Sequence, residues 1–224
     1  MYTVYSDSPW LLPPDPPSTA EIFHRLGRPV TLKARSVVNF GASHKVYLLQ
    51  SGIIATFAGG VGSYERMAAF FTTGCTLGAV KAMTHRGAQM KLAARVYREA
   101  KALEIDSSQF MRELERDPKV FAETALNFVQ KNEATVDGLL LNDLLKVPER
   151  LSKMIALLFE MDGKPLTDDF QPLPDCFTVT DLSMMIHATR VAVSQTLSRW
   201  AKAGVIGGSD GDWRFSRKLI ENQG

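Results

Sequence analysis

Residues 177–206 read FTVTDLSMMIHATRVAVSQTLSRWAKAGVI. Thr180 stands where a helix N-cap hydroxyl belongs, and Leu182, Met185 and Ile186 then fall on one face of a first helix. His187 and Ala188 supply a turn, histidine being among the non-glycine residues that tolerate a positive φ. Val193, Leu197 and Trp200 define the buried face of a second helix. Its opposite face carries Arg190, Val191, Ser194, Gln195 and Arg199. Between Leu182 and Ser209 stand three basic residues, Arg190, Arg199 and Lys202, and no Asp or Glu. An acid-free surface of this kind suits approach to phosphates. Gly204 stops the helix, and Val205-Ile206, the turn at residues 207–211 and Asp212-Trp213-Arg214-Phe215 predict strand, turn and strand. Two helices across a short turn, then a hairpin, make the pattern of a winged helix-turn-helix, whose second helix enters the major groove of double-stranded DNA.

The 224 residues suffice for two modest domains, each with its own core. No apolar run approaches the roughly 20 residues that span a bilayer. The N-terminus, with Asp7, Pro9 and a Pro-rich run at 13–17, lacks the charged and apolar regions of a secretory signal, so a cytoplasmic location is expected. The two cysteines, Cys75 and Cys176, are far apart and outside any CxxC spacing. That argues against an iron–sulfur cluster, a structural zinc site or a disulfide framework. A net charge of +2 does not by itself mark a nucleic-acid binder, so the DNA argument rests on local distribution.

Working outward, residues 1–17 read as an N-terminal arm. Ser18-Thr19-Ala20-Glu21 is a capping box opening a short helix through Ile22, Phe23 and Leu26, stopped by Gly27. From Val30 to Ile105, glycines punctuate short apolar runs such as Val46-Tyr47-Leu48-Leu49, Ile53-Ile54-Ala55-Thr56-Phe57 and Met67-Ala68-Ala69-Phe70-Phe71, which predict a small sandwich or barrel. Pro118 opens a helix running to about Leu145. Its Phe121, Ala125, Phe128, Thr135, Leu139 and Asn142 repeat at helical spacing, and Val129, Val136 and Leu140 widen the stripe toward a second partner. Pro148 marks a break, residues 149–161 form another amphipathic helix, and a Pro-rich connector at 164–175 leads to the helix-turn-helix.

Several motifs coincide with those of one family. They are Gly41 and Gly52 around the Val-Tyr-Leu-Leu-Gln strand, Gly74-Cys-Thr-Leu-Gly78, Asp117-Pro118 before the long helix, Glu149-Arg150-Leu151 after the break, and Thr189-Arg190-Val-Ala-Val193-Ser194-Gln-Thr-Leu197 in the second helix. In these the chain resembles the cyclic-AMP receptor protein/FNR superfamily of bacterial transcription regulators, over most of its length. The resemblance implies an α+β fold: a double-stranded β-roll of the cyclic-nucleotide-binding type at 18–117, a long dimerisation helix at 118–146 and a winged helix-turn-helix domain at 147–224. It further implies a homodimer on palindromic DNA, an effector bound between roll and long helix, RNA polymerase as a partner, and no catalytic role.

By the same resemblance Arg190 is placed to bond O6 and N7 of a guanine, and Gln195, where the family usually has Arg, suits an adenine. Val191 replaces the family's usual Glu and suits a thymine methyl. Thr178, Thr180, Thr189, Ser198, Arg199 and Lys202 are assigned to the DNA backbone, with Ser194 serving either role.

Two departures argue against cyclic AMP. The Glu that follows the family's roll glycine is Ala79 here, and the Arg that pairs the cyclic phosphate is Met90. Arg86, Lys91 and Arg95 are the nearby cations, and Arg95 should point out of its strand. The implied pocket is lined by Leu77, Ala79, Met90 and Leu92 from the roll and by Asn132, Thr135 and Val136 from the long helix. Such a lining suits an unidentified small hydrophobic effector, or haem held by His85, Met90, His44 or Cys75. The reading from another class, a cupin-like metalloenzyme, needs about three histidines and a carboxylate converging on one metal. His24, His44, His85 and His187 lack that spacing, and no G-x-S-x-G elbow or phosphate-cradling loop is present. A regulatory subunit that does not bind DNA would leave the acid-free helix unexplained.

Overall fold

The computed structural model describes residues 8–38, 44–59, 65–84, 91–209 and 211–221, so Gly41, His85, Arg86, Met90 and Asp210 lie outside it. The chain separates into two compact units, Met1–Leu139 and Leu140–Gly224. Among the described residues no helix is long and apolar enough to cross a membrane.

The first unit runs α1 (Pro17–Leu26), β1 (Arg28–Leu32), β2 (Val37–Val38), β3 (Lys45–Leu49), β4 (Ile53–Gly59), β5 (Arg66–Phe71), β6 (Thr76–Leu77), α2 (Ala79–Thr84), β7 (Lys91–Arg98), β8 (Ala100–Asp106), α3 (Ser107–Arg116) and most of α4 (Pro118–Leu144). The strands make two antiparallel four-stranded sheets, ordered β1-β8-β3-β6 and β2-β7-β4-β5. This is a double-stranded roll. Strand β3 shows why its sequence is continuously apolar. Tyr47 and Leu49 pack with Ile54, Ala94 and Val96 of the other sheet, while Val46 and Leu48 face Phe23 of α1 and Phe110 of α3. Both faces of the strand are therefore buried, and alternation disappears.

The expected Ser18 capping box does not form. Helix α1 starts at Pro17 with no side-chain cap, since its N-cap residue is Pro16, whose ring offers no acceptor. The Ser18 hydroxyl instead donates to Glu123 at 2.6 Å, and the Thr19 and Thr124 hydroxyls share a bond of 2.7 Å. Asp117 caps α4, its Oδ1 accepting from the amides of Lys119 at 3.0 Å and Val120 at 3.3 Å. The buried face of α4 is not the one its apolar spacing picks out. Thr124, Asn127, Lys131, Ala134 and Asp137 are buried, whereas Phe121, Val129, Val136 and Leu139 are exposed. Phe128 packs on the core beside Phe110, and Thr135 is half-buried.

The second unit continues through α5 (Val147–Met161), β9 (Gln171–Pro172), α6 (Val179–Met185), α7 (Arg190–Lys202), β10 (Arg214–Phe215) and α8 (Lys218–Glu221). Leu151, Met154, Ile155 and Leu158 give α5 one buried stripe at i, i+3, i+4 and i+7. Leu182, Met185, Ile186, Val193, Leu197 and Phe215 are fully buried in the same unit, each worth about 1.5–3 kcal/mol of transfer free energy. The wing differs from expectation. Val205 and Ile206 form no strand, and Gly207 alone bridges Arg214. The second neighbour of β10 is β9, drawn from the Pro-rich connector, with Arg214 opposite Pro172 and Phe215 opposite Gln171.

Candidate nucleic-acid interface

Thr178, not Thr180, begins α6. Its hydroxyl accepts from the Asp181 amide at 3.2 Å and the Asp181 carboxylate accepts from the Thr178 amide at 2.9 Å, a complete capping box. Thr180 is exposed one residue inside the helix. The Thr178 hydroxyl also donates to Asp181 at 2.6 Å, so in this structure it serves as a helix cap. The turn then passes through His187 at φ +52°, the left-handed conformation expected there.

Thr189 caps α7 by accepting from the Ala192 amide at 3.1 Å. One face of α7 is held down by Val193, Thr196 and Leu197, Thr196 being buried because its hydroxyl bonds the Ala192 carbonyl at 2.8 Å. Trp200, expected in that face, is half-buried. The remaining positions face water: Thr189, Arg190, Val191, Gln195, Ser198, Arg199 and Lys202 are exposed and Ser194 is half-buried. The side chains of Arg190, Gln195, Arg199 and Lys202 have no hydrogen-bond or ion-pair partner among the described residues. Val191 keeps 64% of its surface in water. Three cations, an amide and a bare aliphatic side chain on one side of a capped helix combine phosphate attraction with base-edge contacts.

The wing closes beside this helix in sequence through paired bonds between Gly207 and Arg214, 2.8 and 3.0 Å long. Gly208 turns it at φ +82°, where a Cβ would lie 1.8 Å from the Asp212 carbonyl oxygen. Arg214 is exposed and bonded to Asp212 at 3.3 Å, a surface pair of small energetic value that a phosphate could replace. The sequence reading overlooked it because it treated the hairpin as a shape rather than as a source of charge. It also assigned Asn142 to the apolar stripe of the long helix. Asn142 is buried, and its amide donates to the Met185 carbonyl at 3.0 Å, while its own carbonyl accepts from Arg150. Partial burial pushes the Arg150 guanidinium down from its ordinary value, against the nearby Asp143 carboxylate.

No protein-family model and no curated protein sequence matches the chain. Solved structures do. One is the c-di-GMP-responsive global regulator CLP of Xanthomonas campestris, 13% identical, with a TM-score of 0.71 over 88% of this chain and 98% of that one. The chain has the Crp/Fnr fold. A regulator of the crp/fnr family from Eubacterium rectale is 12% identical at a TM-score of 0.70, covering 92% and 94% of the two chains. A CRP/FNR-family transcriptional regulator from Thermus thermophilus is 16% identical at 0.66, covering 88% and 100%.

Within this Crp/Fnr-like fold the described side chains expected to bind an effector belong to different clusters. Leu77 packs between the two sheets, whereas Ala79 belongs to the cluster under α1 and α3. Asn132 and Val136 are exposed, Thr135 bonds back to the Lys131 carbonyl at 2.9 Å, and Met90 and the Leu92 side chain lie outside the described residues. Arg95 is engaged by Glu65 at 2.6 Å and lies over the Phe57 ring. Of the residues named for haem, His44 is exposed, and Cys75 is fully buried, its thiol pushed up by burial and directed at the Leu12 carbonyl 3.3 Å away. His85 and Met90 are not described. Among the described residues no three histidine, cysteine or carboxylate side chains converge on a metal position.

Proposed function

We propose that the chain is a sequence-specific, DNA-binding transcription regulator that acts as a homodimer on a palindromic site. The observation that carries this is the outer face of α7, where Arg190, Gln195, Arg199 and Lys202 are exposed, unpartnered and free of acidic neighbours on the helix. Dimerisation is supported by α4, whose exposed Val129, Val136 and Leu139 form an apolar stripe opposite its buried face. Cyclic AMP is disfavoured as effector, since the fully buried methyl of Ala79 offers no acceptor for a ribose hydroxyl and Arg95 already serves Glu65. Selection of duplexes from a randomised pool by the purified full chain tests the proposal. The expected product is an inverted repeat with one Arg190-dependent guanine per half-site. Recovery of the input distribution overturns it.

A further inference from the structure

Residues 8–16 of the N-terminal arm form a strap within the first unit. Main-chain bonds tie it to strand β5 and the turn after it: Phe70 donates to the Trp10 carbonyl at 2.6 Å, Leu12 to the Phe70 carbonyl at 3.0 Å, and Asp15 to the Gly74 carbonyl at 2.8 Å. On its other side the Trp10 amide donates to the Ala134 carbonyl at 3.2 Å and Asn127 donates to the Pro14 carbonyl at 2.8 Å. The arm thus lies between roll and long helix. Its Asp15 carboxylate accepts from the Thr76 amide at 2.6 Å, the Thr76 hydroxyl at 3.0 Å and the Lys131 ammonium of α4, all three residues being buried.

At the far end the indole of Trp10, 2% exposed, rests on Gly138 of α4. Trp10 adopts φ +69°, a conformation that a bulky residue keeps only where its surroundings over-determine it. The buried ion pair between Asp15 and Lys131 ties the arm to α4, so the arm and the seating of α4 are energetically coupled.

We propose that this arm replaces a diffusible ligand: it fills the groove between roll and long helix, fixes α4 there, and makes DNA binding by the intact chain independent of any added small molecule. The DNA part of this rests on the function proposed above. A tethered occupant meets its groove at an effective concentration that a free molecule must exceed to displace it.

Gly138→Ala tests this. The added Cβ would lie 2.3 Å from the indole Cδ1 and expel the ring, while alanine strengthens the helix itself. Asp15→Asn is the second variant, releasing the other end with no change in size. Three quantities are read without added ligand: Trp10 emission, isolated by subtracting a Trp10→Phe protein; amide exchange across residues 127–138; and affinity for the selected duplex. The expected result is red-shifted emission, faster exchange and binding weakened by about tenfold or more, the size of a typical coupling between sites. Unmoved emission, or shifted emission with unchanged exchange, overturns the strap. So does a wild-type protein that binds its duplex only after a small molecule is added. Should the wild type select no duplex at all, the DNA-binding reading fails by itself, and emission and exchange still decide the strap.

Discussion

Asn142 donates through its side-chain amide to the carbonyl of Met185 at 3.0 Å, joining the last turn of α4 to the end of α6. That carbonyl belongs to the terminal set that has no partner within its own helix. Asn142→Ala leaves it buried and unpaired, which should cost about 1–3 kcal/mol. Urea unfolding followed by emission of the buried Trp213 should show a lower midpoint with the same slope. An unchanged midpoint would mean that water takes over the bond.

Thr178 and Lys202 should separate stability from DNA affinity. Thr178→Ala removes a cap and should destabilise by about 1 kcal/mol while leaving the salt dependence of DNA binding as it was. Lys202→Ala should do the opposite, reducing the slope of log K against log salt by about one charge with stability unchanged. Binding of every duplex weakened alike by folded Thr178→Ala would place that residue among the phosphate contacts.

Arg190→Ala should cost about 1–3 kcal/mol and relax preference at one base of each half-site. Arg190→Lys should recover the charge but not the preference, because an ammonium lacks the planar fork. Selection with both variants checks this, and an unaltered motif from Arg190→Ala would remove α7 as the reader.

Val136→Glu and Leu139→Glu should each yield monomers, since a dimer would bury an unpaired carboxylate at its seam. Phe128 is the wrong choice for such a test: it packs within its own chain, and changing it would damage the roll. Sedimentation showing a full dimer for both seam variants would place the interface elsewhere.

Cyclic AMP should give no saturable heat at micromolar concentrations in calorimetry, and should leave DNA binding unchanged. A low-micromolar isotherm would mean that a cation outside the described residues, Arg86 among them, holds the phosphate.

The parts of this fold that were legible in the sequence are those governed by short-range rules. Apolar spacing located α6 and α7, a positive φ was anticipated at His187, and Pro118 marked the start of α4. The misreadings share a cause. Periodicity assumes that buried means apolar, and α4 buries Thr124, Asn127, Lys131 and Asp137 while exposing Val129 and Val136. Its inward face therefore carries polar residues that apolar spacing does not pick out. The arm has no periodicity, because Trp10, Leu12 and Asp15 find their partners through tertiary contacts alone. Thr180 was preferred to Thr178 as a cap because the reciprocal bond from Asp181 is recognised only when the position three residues on is read together with the cap.

The bond between Asp15 and Lys131 spans 116 positions of sequence. During synthesis the arm can pair with β5 early, but its contacts to α4 wait until the long helix exists to receive them. Strand pairs of the roll, separated by far fewer residues, can close in the meantime. The Trp10 indole, which rests on Gly138 of α4, stays open to solvent, and to chaperones, throughout that interval. In refolding from denaturant the burial of Trp10 should accordingly trail the appearance of sheet structure, with the loop closed last being the longest one.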